Sequence, residues 1–196
     1  MNIWGSVSIV VLMALLLNGC TNQKQQERQE APQMPPTEMV QQDQSNMVAG
    51  IEWTVPQHWK EQPQRQMRIA TYTIPSAEGD ADEGECAVFY FGNNQGGGID
   101  MNIDRWAAQF ENSPKPDRSS KEMNGIKVTF VTIDGTYLAP SGPMMQSQGK
   151  KPDYRLLGAI VEVPDGLVFF KFTGPKKTIA AAESEFTSLI QSIKKN

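Results

Sequence analysis

The sequence predicts an α+β domain with a mainly antiparallel sheet that is covered by helices on both faces. Three observations lead to this fold class. Short β-rich runs alternate with turns through most of the chain, and two segments carry apolar residues at helical spacing. In the run 154–163, moreover, apolar residues fall on both faces of the predicted strand. Such a strand needs cover on both sides, and the two helical segments can supply it.

The predicted strands are runs rich in β-branched and aromatic residues, separated by Pro, Gly and acidic loops. They are 51–55, 67–74, 86–92, 126–133, 154–163 and 167–172. Asn124-Gly125 is a turn signal before the fourth run. Pro164-Asp165-Gly166 joins the last two runs and predicts a hairpin between them.

The two predicted helices are identified by apolar residues that recur every three or four positions. The first contains Ile103, Trp106, Ala107 and Phe110. The second follows Gly174-Pro175 and contains Ile179, Ala182, Phe186, Leu189, Ile190 and Ile193. Lys194 and Lys195 at its end are expected to interact favourably with the helix dipole.

The N-terminal segment carries a candidate lipidation signal. Leu17-Asn18-Gly19-Cys20 follows an uncharged apolar run and resembles a bacterial lipobox, the motif for cleavage before a cysteine and lipidation of its thiol. The run, 7–17, is shorter than the roughly 20 residues that span a bilayer as a helix, which is typical of an export signal. We therefore expect residues 1–19 to be a lipoprotein signal peptide and Cys20 to carry lipid such as palmitate. The alternative is an N-terminal anchor helix with an unmodified Cys20.

Residues 20–46 are predicted to form a disordered tether between the lipid and the domain. The segment is rich in Gln, contains Pro32, Pro35 and Pro36, and has too few apolar residues to offset the entropy of ordering. A short coiled coil is the alternative, but no apolar heptad supports it. Thr21 stands where Asp commonly favours retention in the inner membrane, so we expect the outer membrane, facing the periplasm.

Residues 47–196 are predicted to be a single globular domain and a monomer. Four motifs have a family resemblance: 55–59 (VPQHW), 102–106 (NIDRW), 135–137 (GTY) and 170–175 (FKFTGP). With these motifs in this order, residues 51–195 resemble the PsbP-like and DcrB-like family of small α/β/α sandwich proteins, many of whose bacterial members are exported lipoproteins. The resemblance implies an accessory or binding role. It transfers no catalytic residues, because a shared fold does not specify an activity.

Two loops have compositions found in ligand sites. The Gly-rich segment 92–98 lies between a strand and a helix, but it is followed by Ile99 and Asp100 instead of the Lys and Ser or Thr of a phosphate-binding loop, so a turn is expected. The acidic segment 78–85 could bind Ca²⁺, but Gly84 is in the wrong place for an EF-hand, and a solvated loop is expected instead.

Neither single reactive residue of the domain predicts catalysis. His58 is the only histidine and is expected in a surface turn, and Cys86 is expected to be a small buried hydrophobe. No metal or cofactor is predicted. The net charge of -4 argues against a nucleic-acid partner.

These observations favour a membrane-anchored, periplasmic lipoprotein of non-catalytic, accessory or binding type. The alternative is an envelope hydrolase that uses a carboxylate pair in a cleft, although no pair stands out among the 22 acidic residues.

A candidate partner contact is the segment 139–153, which contains several Pro and Gly residues and is expected to form neither helix nor strand. It is either a functional loop or an insertion without a role. The side chains with which it would contact a partner protein or an envelope component are Met144, Met145, Lys150 and Lys151.

Overall fold

A computed structural model describes residues 46–141 and 146–196. The predicted signal peptide, Cys20 and nearly all of the tether lie outside these residues, as do Met144 and Met145. In the part of the chain that is described, no helix is long and apolar enough to cross a membrane.

The described chain contains ten strands and three helices. The strands are β1 (Met47–Val48), β2 (Ile51–Glu52), β3 (Lys60–Glu61), β4 (Ala70–Ile74), β5 (Gly84–Tyr90), β6 (Asp117–Met123), β7 (Ile126–Ser141), β8 (Gln146–Val163), β9 (Gly166–Pro175) and β10 (Lys194–Lys195). The helices are α1 (Ile99–Ala107), α2 (Lys176–Ala181) and α3 (Glu183–Gln191).

Seven strands form the main sheet in the order β3-β4-β5-β9-β8-β7-β6, and β1, β2 and β10 form a small second sheet. Every strand pair in both sheets is antiparallel. The predicted hairpin is present, with Val163 opposite Gly166 in the ladder of β8 and β9. The predicted α+β class with a mainly antiparallel sheet is therefore confirmed.

The apolar core consists of two clusters that share the central strand β8. Leu157, Ala159 and Val161 pack in the cluster that contains Phe186 of α3. Leu156 and Ile160 pack in the cluster that contains Trp106 of α1. Because side chains alternate along a strand, consecutive residues of β8 enter different clusters, which explains why this strand is apolar on both faces.

The second predicted helix is divided at Ala182, whose backbone (φ -98°, ψ 6°) leaves the helical region between α2 and α3. The apolar stripe nevertheless stays buried from Ile179 to Ile193. The carboxylate of Asp80, from the acidic segment, accepts hydrogen bonds from the Thr178 backbone N–H at 2.9 Å and from its hydroxyl at 2.7 Å. This part of the acidic segment therefore fastens α2 to the loop before β5.

Strand β6 is absent from the predicted strands. It is one of the two edge strands of the main sheet, its sequence is DRSSKEM, and all of its residues except Met123 are exposed. A strand with no buried face has no apolar alternation, so its sequence gives no strand signal.

The prediction that 139–153 forms neither helix nor strand is wrong. β7 continues to Ser141, β8 begins at Gln146, and the two pair up to Ser141 opposite Gln146. The ladder shifts register between Gly135 and Tyr137 and again between Leu138 and Pro140, and such irregularities accommodate Pro and Gly in a strand.

The two clusters can be tested separately through their largest helix residues. We expect Trp106→Ala and Phe186→Ala each to lower the free energy of unfolding by about 3–5 kcal/mol, because their side chains are only 5% and 2% exposed. Urea unfolding measures both effects. Met101→Ala, on the same helix as Trp106 but 52% exposed, is the control and should change stability by less than about 0.5 kcal/mol. Equal stability in all three variants would contradict this description of the core.

Candidate functional site

A cavity of about 160 Å³, here called the α1 cleft, lies between α1 and strands β5 and β9. Its aromatic lining consists of Phe89, Phe91, Trp106 and Phe169. Its polar lining consists of Asn102, Arg105, Gln109 and Lys171. Asn102, Arg105 and Trp106 have the spacing that places them along one side of α1, and Gln109 lies in the turn that follows the helix.

The cleft exists because the sheet has small residues beside Lys171. In the ladder, Lys171 of β9 lies opposite Ala87 of β5 and Gly158 of β8. Directly opposite residues point to the same face of a sheet, so two small neighbours leave space above the strands. A Cβ atom at residue 158 would lie 2.3 Å from the Trp106 ring, so only glycine there allows α1 to lie this close.

Lys171 is a partly buried cation whose hydrogen-bond partners are neutral. Its Nζ donates to Oε1 of Gln109 at 2.6 Å and to the hydroxyl of Tyr137 at 3.3 Å, and it lies 5.5 Å from the centre of the Tyr137 ring. Burial lowers the pKa of Lys171 to about 8; the charge of Glu85 opposes this shift and that of Arg68 adds to it. Burial of an ammonium group beside neutral partners costs stability.

Two arginines lie close to the same aromatic residues. The Arg105 guanidinium donates to Oδ1 of Asn102 at 2.9 Å. The Arg68 guanidinium lies 5.6 Å from the centre of the Phe89 ring and 2.9 Å from Oε1 of Glu85. Arg65 pairs with the other oxygen of Glu85, also at 2.9 Å. The single carboxylate of Glu85 thus pairs with both Arg65 and Arg68. The two charged residues that line the cleft, Arg105 and Lys171, are both positive.

The Gly-rich segment is attached to Asn102, one of the residues that line the cleft. The buried side-chain amide of Asn102 donates to the carbonyl oxygens of Gly96, Gly97 and Gly98 at 3.0, 3.3 and 2.9 Å. A Cβ atom at Gly96, where φ is +79°, would lie 2.4 Å from the Phe91 ring. The segment is a turn fastened to α1, and it presents carbonyl oxygens towards the helix.

The far ends of β7 and β8 reach the cleft where Tyr137 contacts Lys171. Residues 136–141 and 146–153, here called the β7–β8 arm, attach through backbone hydrogen bonds to the segment that follows α1. Leu138 N–H donates to the Gln109 carbonyl at 2.8 Å, and Glu111 N–H donates to the Thr136 carbonyl at 2.8 Å. The attachment places the Tyr137 hydroxyl beside Lys171, with the Tyr137 ring stacked on that of Tyr154 at 5.7 Å.

The arm is also held by the acidic segment. Oδ2 of Asp82 accepts hydrogen bonds from Nζ of Lys151 at 2.8 Å and from the hydroxyl of Tyr154. These two bonds lower the pKa of Asp82, and the bond to Asp82 raises that of Lys151. Lys150 pairs with Glu111. Both lysines that were predicted to contact a partner therefore lie in ion pairs within the chain, and their role as partner contacts stays a prediction.

The other residues singled out in the sequence lie away from the cleft. His58 is exposed in a turn, as predicted, with its Nε2 2.7 Å from Oε1 of Glu185. Cys86 is fully buried, as predicted, and burial raises the pKa of its thiol. Within the described ranges, no group of three or more His, Cys, Asp or Glu side chains is arranged to hold a metal ion.

Sequence reasoning missed the residues that make the site. Lys171 lies in a strand, Gln109 in the turn after α1 and Tyr137 in the arm, so only the fold brings them together. One signal was present. Lys171 stands between Phe170 and Phe172, and a lone charge in the middle of an apolar strand on a covered sheet needs an explanation.

No known protein-family model matches the chain, and neither does a curated protein. Solved structures that are similar to it include the cyanobacterial PsbP (CyanoP) from Synechocystis sp. PCC 6803, with 11% identity over 76% of this chain and 88% of that chain and a TM-score of 0.49. Another is PA94, a protein of unknown function from Pseudomonas aeruginosa, with 14% identity over 70% of this chain and 86% of that chain and a TM-score of 0.42.

The state of Lys171 predicts a pH-dependent effect of its removal. The pKa of about 8 lies below the ordinary value for lysine, so the charged form of Lys171 destabilises the folded state. This destabilisation is fully present below pH 8 and is lost as pH rises from about 8 towards 10. Lys171→Met should therefore stabilise the protein at pH 7, by about 1–3 kcal/mol. Its advantage over the wild type should shrink at pH 10.

Urea unfolding of the wild type and Lys171→Met at pH 7 and pH 10 measures this difference. Lys177→Met, at an exposed lysine, is the control and should show no such change between the two pH values. If Lys171→Met and the wild type differed in stability by the same amount at both pH values, the charge of Lys171 would not be what destabilises the folded state.

Proposed function

We propose that the protein is a membrane-anchored lipoprotein of accessory or binding type, which faces the periplasm from the outer membrane and binds a ligand in the α1 cleft. The lipobox-like segment ending at Cys20 and the polar, Pro-containing segment after it support the anchoring. The sequence motifs support a PsbP-like domain.

We further propose that this domain is an α/β/α sandwich, with the helices on both faces of the sheet. Support comes from the division of the core, since α1 packs with one set of β8 side chains and α3 with the other.

The position of Lys171 is the observation that carries the binding role. A charge that faces neutral partners on a central strand lowers stability, and a methionine of similar length would avoid this cost. Residues that break a folding rule in this way are concentrated at functional sites. Lys171 also borders a cavity whose lining combines four aromatic residues with a few polar groups, the combination that is typical of small-molecule sites.

The alternative of a carboxylate-pair hydrolase gains no support from the described residues. A general acid in such an enzyme needs a carboxyl group whose pKa is raised. Asp82 and Asp134, the described carboxyl groups with a shifted pKa, are both shifted downwards. The hydrogen bond from Arg155 lowers the pKa of Asp134 to about 2.

The anchor can be tested directly at Cys20. We expect labelled palmitate to enter the wild-type protein and to be absent from Cys20→Ser, because the thiol is the acceptor of the diacylglyceryl group. Cys86→Ser is the matched control and should keep the label, since Cys86 is buried. Label that persists in Cys20→Ser would show that this cysteine is not the lipidated residue.

The binding role can be tested with the molecules of the protein's own envelope. A protein-free extract of envelope small molecules should raise the melting temperature of the full chain and of Lys177→Met, because a ligand stabilises the state that binds it. It should have little effect on Lys171→Met. An equal shift in all three proteins, or none in any, would count against a binding function of the cleft.

A further inference from the structure

The α1 cleft has room for a small molecule. Its volume is about 160 Å³. An apolar cavity of about 150 Å³ holds a benzene molecule. A single ring with one short substituent therefore matches the available space.

The walls favour a flat apolar body. The Phe89 and Phe91 rings are stacked with their centres 6.1 Å apart and their planes inclined by 18°. Phe169 lies 6.0 Å from Phe91, and Trp106 meets Phe169 edge-on at 6.4 Å. Phe89 and Phe91 are only partly buried, so part of each ring is left for a ligand to cover. Offset and edge-on contacts with such rings are the arrangements that aromatic groups prefer.

The charges favour a monoanion. Lys171 has three N–H donors, and two of them have acceptors in the protein. Arg105, at the side of the cleft, has one hydrogen bond to Asn102 and further donors in the planar geometry that matches a carboxylate.

The surroundings disfavour a phosphate. A phosphate site at the start of a helix uses backbone N–H groups. Here the carbonyl oxygens of Gly96, Gly97 and Gly98 point to the Asn102 amide. Asp100 also lies in the first turn of α1, where its charge would oppose a dianion.

We propose that the α1 cleft binds a small aromatic monocarboxylate, with Lys171 and Arg105 holding the carboxylate and the aromatic residues of the cleft covering the ring. This inference rests on the proposed binding function and adds the chemical class of the ligand.

Equilibrium dialysis of radiolabelled benzoate against the detergent-solubilised full chain tests the proposal. The wild type and Lys177→Met should bind benzoate saturably, with one molecule per chain. Lys171→Met should bind it at least about tenfold more weakly, because a charge-assisted hydrogen bond is lost. Arg105→Met changes an exposed side chain, so it should fold normally and also bind more weakly. Subtraction of the Lys171→Met signal removes any benzoate dissolved in the detergent.

Competition experiments separate the ligand class from the binding function. Benzyl alcohol, which has the ring without the charge, and inorganic phosphate, which has charge without a ring, should each fail to displace benzoate. Equal benzoate binding by Lys171→Met and the wild type would overturn the proposal. If benzoate does not bind but the envelope extract still stabilises the wild type and not Lys171→Met, the ligand class is wrong and the binding function stands.

Discussion

The contact between the Trp106 ring and the backbone of β8 at Gly158 is the constraint on which this side of the molecule depends. With any other residue at 158, the ring and the new Cβ atom would overlap, and α1 would have to move away from the sheet. The low position of α1 brings Gln109 to Lys171 and lets the β7–β8 arm pair with the segment that follows the helix. The absence of a side chain at Gly158 thus determines how close α1 lies to the sheet, how deep the cleft is and where the arm attaches.

The electrostatics of this face divide into a balanced part and an unbalanced part. Around the arm, Asp82 is matched with Lys151, and Glu111 with Lys150. Such exposed pairs add little stability each, but they fix the geometry of the strands that carry Tyr137 and Tyr154. Lys171, by contrast, has neutral partners and a lowered pKa. Ion pairs therefore hold the arm, whereas the hydrogen-bond partners of Lys171, Gln109 and Tyr137, are neutral.

The sequence was sufficient for the parts of the fold that have a buried face. Apolar alternation or helical spacing located α1, the stripe of α2 and α3, and the strands from β4 onwards that carry core residues. It failed for β6, whose side chains are nearly all exposed, and for the arm, where Pro and Gly suggested a loop but pairing with the neighbouring strand prevailed. The candidate site could not be predicted, because Lys171, Gln109 and Tyr137 come from elements whose proximity depends on tertiary packing.

The polar residues of β6 affect whether neighbouring copies of the protein can pair through their sheets. In the described chain, β6 pairs with β7 alone, so its other edge carries a row of backbone donors and acceptors. Uncharged edges of this kind join with one another and lead to aggregation. Proteins held to a bilayer by lipid, as proposed here, meet repeatedly in two dimensions with similar orientations. Arg118, Lys121 and Glu122 line this edge with hydrated charges, and a neighbour's strand could add to the sheet only by displacing that water.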